Sequence, residues 1–169
     1  MIFIKNKNKT RELTLSAAIA ALYVCLTYVS AMLGLSSGVI QLRFSEALCI
    51  LPIYTQAAVP GLFVGCIISN LLAGGVITDV VFGSIATLIG ALGTRLIGEK
   101  HRILALIPPI LSNTVIIPFV LRYAYGAEDS LIFMFFTVGI GEILSCGVLG
   151  ILLDRSMKKA LTLKGDKNA

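Results

Sequence analysis

The chain has 169 residues, 57% of them hydrophobic and only 14% charged, with a mean hydropathy of +0.94. A soluble domain carries about 25% charged residues, so these values exclude an ordinary soluble fold and point to apolar spans of about 20 residues each. The formal net charge of +5 does not indicate nucleic acid. Its Lys and Arg flank apolar segments without interleaved aromatic residues, which is the pattern of membrane topology signals.

The first apolar segment, residues 13–35, follows Lys5, Lys7, Lys9 and Arg11. It is longer than the ~7–15-residue apolar region of a signal peptide, so it is predicted as a retained helix. Residues 44–74 are harder to divide, because two spans there would average ~15 residues, or ~22 Å each at an α-helical rise. Pro60, just after Thr55 and Gln56, suits the first turn of a new helix, and Pro52 suits the end of the one before. The split falls at 44–55 and 58–74. Plainer segments follow at 76–97, 103–123 and 131–153, and Pro118 predicts a kink in the fifth.

Charge supports the split. If residues 44–74 crossed once, Arg95, Lys100 and Arg102 would lie on the side opposite the N-terminus. The group Arg155, Lys158, Lys159, Lys164 and Lys167 would lie there too. If they cross twice, only Arg43 and Arg122 of the 14 basic residues fall outside. The positive-inside rule selects the second case. The expected fold is an all-α integral membrane protein: one domain over residues 1–169, a six-helix transmembrane bundle, both termini cytoplasmic, in the plasma membrane.

Small residues indicate how such a bundle packs. Gly61, Gly65 and Ser69 recur at helical spacing in the third segment, and Gly83, Ala86, Gly90 and Gly93 in the fourth. Without a hydrophobic drive between helices in lipid, such stripes let backbones approach. They are read as packing faces.

Polar residues within the spans mark a candidate site. Glu46, Asn70, Asp79, Asn113 and Glu142 come from five different helices and all fall in the outer half. A charge at the bilayer centre costs ~2.5–3.5 kcal/mol on insertion scales, so such groups face an interior cavity. They are expected to line a pocket open to the outside, with Arg43 at its edge and Tyr125 close by. Structural alternatives exist for several of them. Arg43 and Glu46 are three apart and can pair, Asp79 with Thr78 can cap the fourth helix, and Arg122 can reach Glu142. Tyr28, Tyr123, Tyr125, Phe133, Phe135 and Phe136 cluster at the same end, as an interfacial belt or as stacking partners for a flat ligand.

Other chemistry is not indicated. Cys25, Cys49, Cys66 and Cys146 stand singly in apolar runs without metal or redox spacing, as small buried hydrophobes do. His101 is the sole histidine and is given no role. No GxxxxGK[ST] phosphate loop is present, so any ATP hydrolysis belongs to another subunit. No HExxH or GxSxG motif supports membrane catalysis. No cofactor or metal is expected.

Three stretches, "IQLRFSEALCILP", "AAVPGLFVGCIISNLLAGG" and "TDVVFGSIATLIGALGT", give the chain a resemblance over nearly its whole length to the QueT family. These are substrate-binding S components of energy-coupling factor (ECF) transporters, assigned to uptake of queuosine precursors. The resemblance implies a six-helix fold and a partner module of one transmembrane T subunit with two ATP-hydrolysing subunits. It also implies an AxxxA docking motif in helix one. "SAAIAALY" supplies this as Ala17 and Ala21, with Ser16 and Ala20 one register away. The implied ligands are deazaguanine bases. A carboxylate can accept from such a base's ring N–H and exocyclic amine, and an amide such as Asn113 can donate and accept. A second carboxylate can meet a cationic aminomethyl substituent. The alternatives are an S component for another vitamin or heteroaromatic compound, or a small membrane enzyme using Asp79, Glu46 or Glu142 as acid and base.

Overall fold

A computed structural model describes residues 9–36, 40–98 and 100–166, with side chains to residue 162. Lys5, Lys7 and Lys167 of the basic clusters lie outside the described residues. Among those described there are six helical rods and no strand.

Helix one is Lys9–Met32, one turn longer at its start than the apolar pattern predicts. Helix two, Phe44–Ile53, is a 3-10 helix and not an α-helix. Such long 3-10 runs are uncommon, but the form rises ~2.0 Å per residue against ~1.5 Å for an α-helix. Ten residues therefore reach about 20 Å, against about 15 Å as an α-helix, still short of the ~30 Å hydrocarbon core. Three residues per turn also align every third side chain. Arg43 (the residue preceding the helix), Glu46, Cys49 and Pro52 fall in one row.

Helix three is Ala58–Leu72 and helix four Ile77–Gly98. Helix five opens with a 3-10 turn, Leu104–Leu106, and continues as the α-helix Ile107–Tyr123, which holds Pro118 buried in its interior. Helix six is an α-helix over Leu131–Glu142, a π-helix over Ile143–Leu149 and an α-helix again over Gly150–Asp166. It runs well past residue 153, where the apolar pattern ends. The added turns carry charge, and Lys158 Nζ pairs with Asp154 Oδ2 at 2.8 Å, one turn apart. Hydropathy reads only the apolar part of a helix.

Four stretches are long and apolar enough to cross a membrane, Lys9–Met32, Ile77–Gly98, Leu104–Tyr123 and Leu131–Thr162, while Phe44–Ile53 and Ala58–Leu72 are shorter. Leu13, Ile77, Leu96, Ile132 and Phe136 point outward, as suits a surface that meets lipid. Inside, Ile19, Tyr23, Leu48, Leu62, Cys66 and Ala91 form one cluster, and Cys49, Ile50, Leu106 and Cys146 a second.

The small-residue stripes are packing faces within the bundle. A Cβ added at Gly65 would lie 2.8 Å from Tyr23 Cβ, so helices one and three touch there at backbone distance. On helix four, a Cβ at Gly93 would overlap Pro108 of helix five. Ser112 Oγ donates to the Ala86 carbonyl in the same seam, at 2.9 Å. Ser16 and Ala20 face helix three, the first donating to the Ala57 carbonyl at 2.8 Å. Ala17 and Ala21 are exposed, Ala17 bordering a groove with Ala57 and Pro60.

The bundle has two polar ends. At one, called here the Arg102 end, Arg102 Nη1 donates to Asp154 Oδ1 (2.8 Å) and to Tyr54 Oη (3.0 Å). Tyr54 Oη donates to the same carboxylate oxygen at 2.6 Å, and the guanidinium lies over the Tyr54 ring, 5.0 Å from its centroid. Arg95 Nη1 donates to the Pro52 carbonyl nearby, at 3.0 Å. Helix two, the loop between helices four and five, and helix six are thereby joined. The opposite end, called the Asp79 end, carries the candidate site.

Candidate functional site

The segment entering helix two is held by its backbone. Leu42 N–H donates to the Leu35 carbonyl at 2.9 Å, Arg43 N–H to Ser145 Oγ at 3.0 Å, and Phe44 N–H to Ser30 Oγ at 2.8 Å. Gly141 permits the approach: a Cβ there would collide with the Gln41 carbonyl oxygen. Arg43 is thus fixed between helices one and six, beside the turn of helix six that follows Glu142.

Glu46 is almost fully buried. Its Oε1 accepts from Tyr23 Oη at 2.5 Å and its Oε2 from Cys49 Sγ at 3.2 Å. The expected alternative, a pair between Arg43 and Glu46, does not form. Among the described residues no carboxylate lies within ion-pair distance of Arg43. Its charge nevertheless acts on Glu46 and Asp79, and on Glu142.

Below Arg43 the layer continues through helix three. Asn70 is buried, and its Nδ2 donates to Cys66 Sγ at 3.6 Å, which also accepts from Thr87 Oγ1 at 3.4 Å. On helix four, a Cβ at Gly83 would sit 3.1 Å from Asn70 Nδ2 and 3.5 Å from Asp79 Oδ1. Asp79 does not cap helix four from outside. It lies in the first turn, and its Oδ2 accepts from Tyr125 Oη at 2.9 Å. Tyr125 Oη in turn accepts from Val76 N–H at 3.4 Å. Burial, and then the Asp79 carboxylate, raise the Tyr125 hydroxyl above its ordinary pKa.

Asn113 of helix five is buried, and its side chain interacts with the Glu142 carboxylate. Glu142 Oε2 is buried without a hydrogen-bond partner. Arg122 does not reach it. That guanidinium folds onto its own loop, donating to the carbonyls of Ala127 (2.8 Å) and Asp129 (3.4 Å).

The structure brings Arg43, Glu46, Asn70, Asp79, Asn113 and Glu142 to one polar layer, with Tyr125 at its rim. The layer's hydrogen bonds form separate groups around Glu46, Cys66 and Asp79. Tyr23 and Ser145 complete it and went unnoticed in the sequence, while Cys49 and Cys66, read there as small buried hydrophobes, are buried but also hydrogen-bonded within the layer. A three-residue period through Arg43, Glu46 and Cys49 was the one signal that could have found a member of that set. Of the aromatic residues at this end, Tyr123, Phe133 and Phe136 are exposed. Phe119 stacks on Tyr123 at 6.4 Å and meets Phe135 edge-on at 5.7 Å. They form an outward belt. A cavity of about 380 Å³ between helices four and five, lined by Phe82, Val115, Phe119 and Tyr123, is apolar and contains none of the layer's charged groups. It suits a lipid chain better than a polar solute.

The pattern of relatives agrees with a membrane role. The chain is 27% identical over 164 residues to the queuosine precursor transporter QueT of Lactococcus lactis subsp. cremoris (strain MG1363), covering 90% of this chain and 96% of that protein. No solved structure matches. The model of the QueT transporter family matches residues 13–159. A match of that extent, over helices carrying a buried polar layer, makes this chain a member of the QueT transporter family.

Proposed function

We propose that the chain is the substrate-binding S component of an ECF-type importer and binds a queuosine-precursor base at the Asp79 end. The observation that carries this reading is the polar layer. Side chains from all six helices contribute to it. Among the described residues Glu142 Oε2 has no hydrogen-bond partner and Arg43 no ion pair, an arrangement that costs stability unless a ligand completes it. The relative's name supplies the ligand class. A deazaguanine offers ring N–H and amine donors beside a carbonyl acceptor, which matches carboxylate, amide and guanidinium groups in one site. Asp79, half-buried at the rim, is placed to meet a cationic substituent.

The bundle crosses six times in this reading, with residues 1–169 acting as one unit and both termini cytoplasmic. The Asp79 end then faces outside and the Arg102 end the cytoplasm. Labelling of single cysteines in intact cells tests this reading, with the native cysteines removed. Glu128→Cys should react from outside and Lys100→Cys should not; external reaction at position 100 overturns the topology. Ser37, which is expected to react like Glu128, lies outside the described residues.

The energy would come from a T subunit and two ATP-hydrolysing subunits. Ala17 and Ala21 suit the docking surface, since they are small and exposed while Ser16 and Ala20 are used inside the bundle. Ala17→Trp should abolish co-purification with the module and leave ligand binding intact, because the added bulk holds two backbones apart. Ala20→Trp, by contrast, should disrupt the fold.

The decisive measurement is calorimetry of the purified protein with 7-deazaguanine derivatives. Tight stoichiometric binding without turnover supports an S component for these bases. Binding of another vitamin instead would keep the fold and overturn the ligand. Turnover of a substrate without ATPase partners would favour a membrane enzyme.

A further inference from the structure

We infer that Glu142 and Arg43 are the pair that reads the ligand's edge, and that Glu46 is a strut beneath them. The inference rests on the binding reading above and divides the labour within that site.

The three groups differ in what they already hold. Both Glu46 oxygens are occupied, one by the Tyr23 hydroxyl and one by the Cys49 thiol. Those bonds tie helix two to helix one and to its own next turn. Glu142 Oε2 has no partner and is fully buried. Leaving a buried carboxyl oxygen unmet costs the desolvation of that group with nothing in return. A bundle selected for stability alone would place Gln or Leu there. Charges kept within membrane segments at such cost face functional sites.

Arg43 is the complementary case. Its guanidinium has five N–H donors and no acceptor, and among the described residues no ion pair engages it. Its backbone is fixed against Ser145, one turn beyond Glu142 on helix six. A carboxyl oxygen without a partner and a cationic donor thus stand on neighbouring elements without pairing to each other. A ligand edge that presents an acceptor to Arg43 and a donor to Glu142 would satisfy both. That edge is a lactam, a ring carbonyl beside a ring N–H, on a planar heterocycle. A simple cation would face Arg43 and be repelled.

Helix six adds an independent observation. Its π-helical segment begins at Ile143, the residue after Glu142. Widened turns of this kind cost hydrogen-bond geometry and occur mainly at functional sites. Ser145, which anchors the Arg43 backbone, lies within this segment.

The test uses purified full-length protein, 7-deazaguanine as the lactam probe and 7-deazaadenine, which lacks that edge, as the control. Melting temperatures are measured without ligand and affinities by calorimetry. Glu142→Gln should melt at or above the parent's temperature and bind 7-deazaguanine about tenfold or more weakly, the loss expected for one charged hydrogen bond. Arg43→Lys keeps the charge but loses the fork, and should also weaken 7-deazaguanine. Glu46→Gln should melt below the parent. The parent should prefer 7-deazaguanine to 7-deazaadenine. A Glu142→Gln protein that melts lower than the parent, or one that binds 7-deazaguanine equally well, overturns the pair. If the parent binds neither base, the queuosine-precursor reading fails separately. The stability arm still decides, since a raised melting temperature in Glu142→Gln marks an unsatisfied carboxylate and a lowered one shows it to be structural.

Discussion

Asp154 and Glu142 are carboxylates on the same helix, and they meet opposite surroundings. Asp154 accepts from Arg102, Tyr54 and Lys158, and the whole group joins three segments at the Arg102 end. Glu142 is half-buried, and its enclosed Oε2 is unmet. The difference is between polar groups whose donors and acceptors are met within the fold and a carboxyl oxygen that is not. Charge count alone does not separate the two. What separates them is whether each donor and acceptor has already been answered.

The sharpest way to break this contrast is at the satisfied end. Asp154→Ala leaves Arg102 and Lys158 without their shared carboxylate and Tyr54 without its acceptor. Exposed ion pairs contribute only ~0–1 kcal/mol, while breaking a buried pair costs ~3–5 kcal/mol. Asp154 is mostly covered but its two cations are substantially exposed, so a loss of about 2 kcal/mol is expected, between those limits. Thermal unfolding in detergent measures it, and affinity for ligand in the folded protein should be unchanged. A loss of affinity without a loss of stability would mean that the two ends are not distinct in role.

The effect should reverse in kind at the other end. Gly141→Ala adds one methyl group where the Gln41 carbonyl already sits. Overpacking of this sort typically costs ~1–3 kcal/mol. Here the segment displaced is the one that carries Arg43. The variant should therefore lose affinity, about tenfold for a shift of ~1.4 kcal/mol, out of proportion to its change in melting temperature. Calorimetry beside thermal unfolding separates the two. If stability falls and affinity holds, Arg43 is not in the site.

Much of this contrast was legible before any coordinates. Glu46, Asn70, Asp79, Asn113 and Glu142 could be found because a polar residue in an apolar run is costly wherever it packs. Both stripes of small residues, Gly61 with Gly65 and Gly90 with Gly93, were likewise readable as close contacts. The form of helix two was not legible, since hydropathy cannot tell a 3-10 helix from an α-helix. With it went the alignment of Arg43, Glu46 and Cys49, and so the reason why Glu46 turns to Tyr23. The Asp154 group was missed for another cause. It lies beyond the apolar run, where a charge looks unremarkable and only three-dimensional contact gives it a role. Which acceptors are filled is likewise a property of packing, and no sequence pattern records it.

The smallest expected effect lies at the rim, where the two kinds of surroundings meet. Tyr125 donates to Asp79, yet both are within reach of solvent, and Tyr125 is 47% exposed. Tyr125→Phe should cost less than about 1 kcal/mol, because a solvated bond exchanges readily with water. Its pH dependence gives the variant a signature. The hydroxyl's pKa is raised in the folded protein, by burial first and by Asp79 second, so the folded state holds the proton more tightly than the unfolded state. The stabilising contribution is then fully present below the unfolded value of ~10 and is lost as pH rises through the higher folded value. Melting temperatures followed from about pH 8 upward should fall for the parent more than for Tyr125→Phe above the ordinary tyrosine range. Parallel curves would mean that the Tyr125–Asp79 bond adds nothing to the fold, and Asp79 would then be as free for a ligand as Glu142.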